Sequence, residues 1–220
     1  MQEIALQLFD AIVEMHTIAK YIHRDIKPPN IRVKDGKVYL IDFGTIRNYL
    51  DVNGQHFTDQ YAHYSFVGTA KFASLNAHDL KALTRRDDLE CLGYTLLALL
   101  TNYSLGLFMV DESKLRTDRE LHQYFVKEKR ELTCITHHGG VADSLTKIRF
   151  FISLCRQIGF QEEPEYQKLR FILEVLNEDN FSLPPTPQMI PEKNGKQPKA
   201  PKVKGASLKQ LPAPDDDDPP

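Results

Sequence analysis

Asp25, Lys27 and Asn30 stand in His23-Arg24-Asp25-Ile26-Lys27-Pro28-Pro29-Asn30, and Asp42 follows 17 residues after Asp25 at the head of Asp42-Phe43-Gly44. Moving a phosphoryl group requires few residue types. A carboxylate orients the incoming hydroxyl and takes its proton, a cation sits on the moving phosphoryl, and oxygen ligands hold magnesium. Asp25, Lys27, Asn30 and Asp42 are those types in that order. Neither motif decides the chemistry alone, so their reading depends on the elements between and around them.

Those elements can be read from periodicity. From Glu3 to Lys20 the apolar residues Ile4, Leu8, Ala11, Ile12, Met15, Ile18 and Ala19 recur at three- and four-residue steps, which predicts an amphipathic helix just before the first motif. Ile31-Arg32-Val33 and Val38-Tyr39-Leu40-Ile41 are β-prone and flank an Asp35-Gly36 turn, so a two-stranded ribbon separates the motifs. A rigid ribbon would hold Asn30 and Asp42 on one magnesium-phosphate cluster. Residues 42–78 carry no clear periodicity and predict a long functional loop. Asp87–Thr101 predicts a central buried helix, apolar nearly all round after its first turn. Further helices are expected over Leu115–Lys129, Asp143–Ile158 and Pro164–Leu176, with Pro164 in the first turn of the last.

The expected fold is therefore mainly α, with an α+β character from the ribbon. Two domains are expected: residues 1–181 as the folded unit and 182–220 as a disordered tail. The tail holds 10 of the 13 prolines, six lysines and the acidic run Asp215–Asp218, too little apolar surface to offset its ordering entropy. Lys+Arg at 28 against Asp+Glu at 30 leaves a net charge of -2, so no global field draws the chain to nucleic acid or a membrane. The longest apolar run, Leu92–Leu100, is too short to span a bilayer. Cys91, Cys134 and Cys155 form no Cys-x-x-Cys pair and suggest a reduced intracellular setting, cytoplasm or nucleus.

The two motifs together resemble a protein kinase catalytic loop followed by its magnesium-binding loop. Gly68-Thr69-Ala70-Lys71-Phe72-Ala73-Ser74-Leu75-Asn76-Ala77-His78 and Arg85-Arg86-Asp87-Asp88-Leu89-Glu90-Cys91-Leu92-Gly93-Tyr94 resemble the casein kinase I superfamily, which includes the tau-tubulin and vaccinia-related kinases. Phe160-Gln161-Glu162-Glu163-Pro164-Glu165-Tyr166 with Leu169 is similar to the group's closing helix signature, so the resemblance covers roughly residues 1–178. It implies the C-terminal lobe of a protein kinase-like fold and a serine/threonine kinase using ATP and Mg2+ on protein substrates. By that resemblance Asp25 is the catalytic base, Lys27 a γ-phosphate contact, Asn30 and Asp42 the metal ligands, and Asp88 the buried anchor of the catalytic loop. Lys71 would join an anion site favouring acidic or phosphate-primed substrates. The bland alternative for Lys71 is a solvated lysine.

The chain also departs from that pattern. His23 replaces the tyrosine of many casein kinase I members and leans toward the tau-tubulin branch. With no tryptophan in the chain, the group's Pro-Trp is lost within Thr101–Val110. The Gly-rich loop, the lysine-glutamate pair and the hinge of an N-terminal lobe would precede the opening helix, so an absent N-lobe and an inactive 220-residue polypeptide are expected. Three readings compete: a kinase whose N-lobe is lost from the sequence, a half-kinase that acts as a binding or scaffold module, and a functional tail for which the lobe is the anchor. His137-His138 reads as a loop pair and Lys196–Lys209 as a solvated tail. The tail's two Pro-x-x-Pro matches give only a weak case for Pro-recognition domains.

Overall fold

Ala5, Leu8, Phe9 and Ile12 recur on one face and are all but fully buried, which makes the opening segment a helix, α1 (Gln2–Glu14). The predicted helix ran on to Lys20; the chain instead widens into a π-helical turn over Met15–Ala19 and stops at Lys20, where φ is 65°. The reason is local. Lys20 N–H reaches back to Met15 O, and the His16 carbonyl accepts from the Tyr49 hydroxyl at 2.7 Å. The computed structural model describes residues 1–58, 65–115, 117–133, 140–141, 143–179 and 181–183. His137-His138 and the tail from Pro184 onward, with its lysines and Pro-x-x-Pro matches, lie outside these residues.

Two antiparallel strand pairs are nested. β1 (Tyr21–Ile22) leads into the first motif, and β2 (Ile31–Lys34) pairs with β3 (Lys37–Leu40) in the register Ile31↔Leu40 to Lys34↔Lys37. The turn between them puts Asp35 at φ 51° and Gly36 at φ 73°, the left-handed pair that a two-residue hairpin needs. Beyond Asp42-Phe43-Gly44, β4 (Arg47–Asn48) returns to β1 with Ile22↔Arg47 and Tyr21↔Asn48. Strands β1 to β4 thus clamp the two motifs at both ends. The strand β4, a short 3-10 turn at Phe43–Thr45 and α2 (Leu75–His78) lie where the sequence predicted only irregular chain.

The central helix α3 (Arg85–Leu100) starts at a reciprocal cap: Asp87 N donates to Thr84 O at 3.0 Å and Thr84 N donates to Asp87 Oδ2 at 2.8 Å. Buried Leu89, Leu92, Leu96 and Leu97 place it in the core, alongside buried Asp87, Asp88, Glu90 and Thr95. Helix α4 (Asp118–Thr133) follows. Helix α5 (Ser144–Gln157) is capped by Asp143, whose Oδ1 accepts from Thr146 N at 2.7 Å. It packs on α3 closely enough that a Cβ on Gly93 would lie 2.3 Å from Ile152 Cγ1.

Helix α6 (Tyr166–Glu174) begins later than predicted. Glu165 is its N-cap, so Pro164 precedes the helix and does not enter its first turn. Its buried Leu169, Ile172 and Leu173 complete the core with α1, α3 and α5. Two residues past the expected boundary at 181, β6 (Ser182–Leu183) pairs with β5 (Gly140–Val141), and Leu183 is buried. The described chain is mostly helical with three two-stranded sheets, and none of its helices is long and apolar enough to cross a membrane.

Candidate active site

Asp88 is the hub from which the site is built. It is buried on α3, and its Oδ2 accepts from His23 N at 2.6 Å while Oδ1 accepts from Arg24 N at 2.8 Å. The buried His16 ring donates from Nε2 to Oδ2 at 3.0 Å and accepts at Nδ1 from the Tyr166 hydroxyl at 3.1 Å. A buried carboxylate needs several donors to offset its lost hydration, and these three supply them. The extra residue of the π-helical turn lies on the stretch that carries His16 to Asp88. Arg24 takes φ 69°, an uncommon value outside glycine, held by its N–H on Asp88 and its Nε on Thr45 O at 2.5 Å. Burial lowers its guanidinium from the usual range, Arg47 adds to that, and Asp88 opposes it.

One turn on, three polar groups close a triangle. Lys27 Nζ lies 2.6 Å from Asp25 Oδ2 and donates to Thr69 Oγ1 at 2.8 Å, while Thr69 donates to Asp25 Oδ1 at 2.8 Å. Asn30 is buried and donates from Nδ2 to the Asp25 carbonyl at 2.9 Å and to its carboxylate at 3.4 Å. Thr69 can approach this closely because Gly68, at φ 103°, has no side chain: a Cβ there would meet the Arg24 carbonyl at 2.8 Å.

Asp42 sits across the ribbon. Ile41 N donates to Asn30 O at 2.8 Å, extending the ribbon to the residue beside Asp42. Asp42 is exposed at φ 66°, with Oδ1 accepting from Gly44 N at 3.3 Å. The buried His23 ring accepts from Asp25 N at Nδ1 and donates from Nε2 to Ile41 O, both at 3.3 Å, so it spans the two motifs. Asn30 spends its amide hydrogens on Asp25, which leaves its side-chain carbonyl oxygen outside those bonds, while the Asp42 carboxylate is exposed. Hard oxygen donors of this kind suit magnesium, which takes one or two protein ligands and completes its shell with water and phosphate. No cluster of three or more histidine, cysteine or acidic side chains suited to a metal occurs among the described residues.

Lys71 lies outside the triangle and pairs with Glu112 at 3.0 Å, both partly exposed. Sequence reasoning assigned no role to Thr69 or His16. Thr69 stood inside a block already singled out, next to a glycine, which is a usable signal. His16 carried none, because its partner Asp88 is 72 residues away. The family model described as Protein kinase domain matches residues 1–182.

Proposed function

The chain belongs to the protein kinase domain family, and from that premise we propose that it serves a serine/threonine kinase of the casein kinase I superfamily, with ATP and Mg2+ as cofactors. Asp25 takes the proton of the incoming hydroxyl, Lys27 neutralises the moving phosphoryl, and Asn30 and Asp42 hold the magnesium. Magnesium held there would supply positive charge to offset that of the phosphates. Asp88 keeps the loop in register. Residues 1–183, with β6 as the last described strand, are the catalytic unit and the residues beyond are an appended tail; the setting is intracellular.

The observation that carries this reading is the triangle. Thr69 Oγ1 is a hydroxyl held at 2.8 Å from both the Asp25 carboxylate and the Lys27 ammonium. An incoming serine or threonine hydroxyl needs the same two neighbours. Positioning supplies most of the rate in this reaction, so a preformed carboxylate-cation pair is the expensive part of the site. Lys71 extends the reading to acidic or phosphate-primed proteins as substrates.

The test is label transfer from γ-labelled ATP and Mg2+ to an acidic protein, by these residues joined to a nucleotide-covering lobe. D25N should abolish transfer while the chain still unfolds cooperatively in urea. Equal transfer by D25N overturns the proposal. A second reading, a binding module without catalysis, is favoured by one feature: Ile18, Tyr39 and Phe43 are 74%, 48% and 53% exposed around an apolar groove of about 360 Å3. A partner protein would cover it. Transfer that depends on Asp25 excludes that reading as the whole function.

A further inference from the structure

The segment Ala70–Ala73, which follows Thr69 and carries Lys71, is held from beneath by a lysine the kinase reading does not use. Lys129 on α4 is fully buried, and its Nζ donates to Ala70 O at 2.7 Å and Ala73 O at 2.6 Å. The same nitrogen lies 3.0 Å from His78 Nε2, at the end of α2. His78 Nδ1 lies 2.8 Å from His122 Nδ1 on α4, and the partly exposed His122 borders an open cavity of about 870 Å3. A continuous chain therefore runs from solvent through His122 and His78 to Lys129 and the loop carbonyls.

We propose that Lys129 is a positioning residue for the Ala70–Ala73 segment, and that the His122–His78 pair passes the protonation state of the open cavity to it. That this segment faces substrate rests on the kinase reading; the hold itself does not.

Two nitrogens 2.8 Å apart share one proton, with one donor and one acceptor. His78 Nε2 also lies 3.2 Å from Ala70 O, but facing the Lys129 ammonium at 3.0 Å it accepts in the neutral ring, so His78 Nδ1–H donates to His122 and His122 Nδ1 must be bare. Protonating His122 there sets two N–H groups against each other and adds a positive charge near Lys129. The contact must then break.

The surrounding charges agree with this direction. Burial, Lys129 and His122 push His78 down to about 2, against a weaker opposing hydrogen bond to Ala70. Burial lowers His122 first; Lys129 adds to that, and Asp118 on the same helix opposes it. Burial brings Lys129 down to about 7, Arg156 of α5 pushes the same way, and Cys91 and Glu90 of α3 oppose. Tyr94 and Phe125 present ring faces to the amine, and Phe66 packs on both imidazoles. Asp79, Arg119, Lys127, Arg130 and Glu131 line the cavity itself. A histidine whose folded value is depressed favours its neutral form. Because Lys129 is largely ammonium only below about 7, the hold is strongest just under that value and weakens as falling pH protonates His122.

Hydrogen exchange of the 220-residue chain from pH 6.8 to 5, with rates divided by the intrinsic chemical rate at each pH, tests this. Protection of the Phe72 and Ala73 amides should fall about fivefold on acidification, the factor an ordinary hydrogen bond is worth. Amides of α1 should keep theirs. H122Q, which cannot titrate, should flatten the response, and K129M should lower loop protection at every pH. Should K129M fail to fold, H122Q still decides. An unchanged loop response in H122Q, a wild-type loop indifferent to pH, or a loss shared equally by α1 overturns the proposal.

Discussion

At the scale of single residues, burial decides which charges count. Asp88 is 1% exposed and satisfies two backbone N–H groups and an imidazole, so removing it strands donors that water cannot reach. D88A should cost more than about 3 kcal/mol in urea unfolding, since three buried donors lose their acceptor at about 1–3 kcal/mol each. A loss below about 1 kcal/mol would show that the loop does not depend on it. The Lys71–Glu112 pair is a different case. With side chains 26% and 50% exposed, breaking it should change stability by less than about 1 kcal/mol. On the proposed reading of Lys71 as part of an anion site, Glu112 competes for it with an acidic or phosphorylated peptide. E112Q should raise affinity for a phosphopeptide measured by calorimetry, and K71E should lower it more than affinity for a neutral peptide. Equal effects on both peptides would remove Lys71 from the anion site.

At the scale of elements, the site depends on close contacts far from Asp25. Helices α3 and α5 meet at Gly93, where a methyl group would lie 2.3 Å from Ile152 Cγ1. G93A should therefore cost about 1–3 kcal/mol through overpacking, although alanine is the better helix former. A stabilised G93A, by thermal unfolding, would mean that the helices separate freely. The π-helical turn has its own support. Y49F removes the hydroxyl that satisfies His16 O and should cost about 1–3 kcal/mol, since the carbonyl is left buried without its partner. An unchanged midpoint would show that the π-helical turn needs no such partner.

At the scale of the whole molecule, the opening helix and the ribbon leave an apolar groove between them, with Ile18 74% and Phe43 53% exposed. Exposed apolar patches of this kind drive association. The double variant I18K/F43S should keep the unfolding midpoint within about 0.5 kcal/mol, as surface substitutions do. It should also reduce concentration-dependent self-association in sedimentation. Association equal to wild type would show that another surface is responsible.

The sequence by itself determined the parts whose signals are local. Period-3.6 spacing marked α1, the Asp35-Gly36 turn marked the ribbon, and residue types at short spacing marked Asp25, Lys27, Asn30 and Asp42. Helix ends were less legible: Lys20 stops the first helix through a left-handed backbone that its side chain does not announce, and Pro164 sits before a cap, where the first turn was expected. Only the tertiary structure decided what depends on distant partners. It closed β1 on β4 around both motifs, brought Thr69 onto Asp25 across 44 residues, and brought His16 onto Asp88 across 72. It also buried Lys129 under Ala70 and Ala73, where sequence alone shows one of two lysines on a polar helix. Local pattern fixes what a residue can do, and only packing fixes which group it meets.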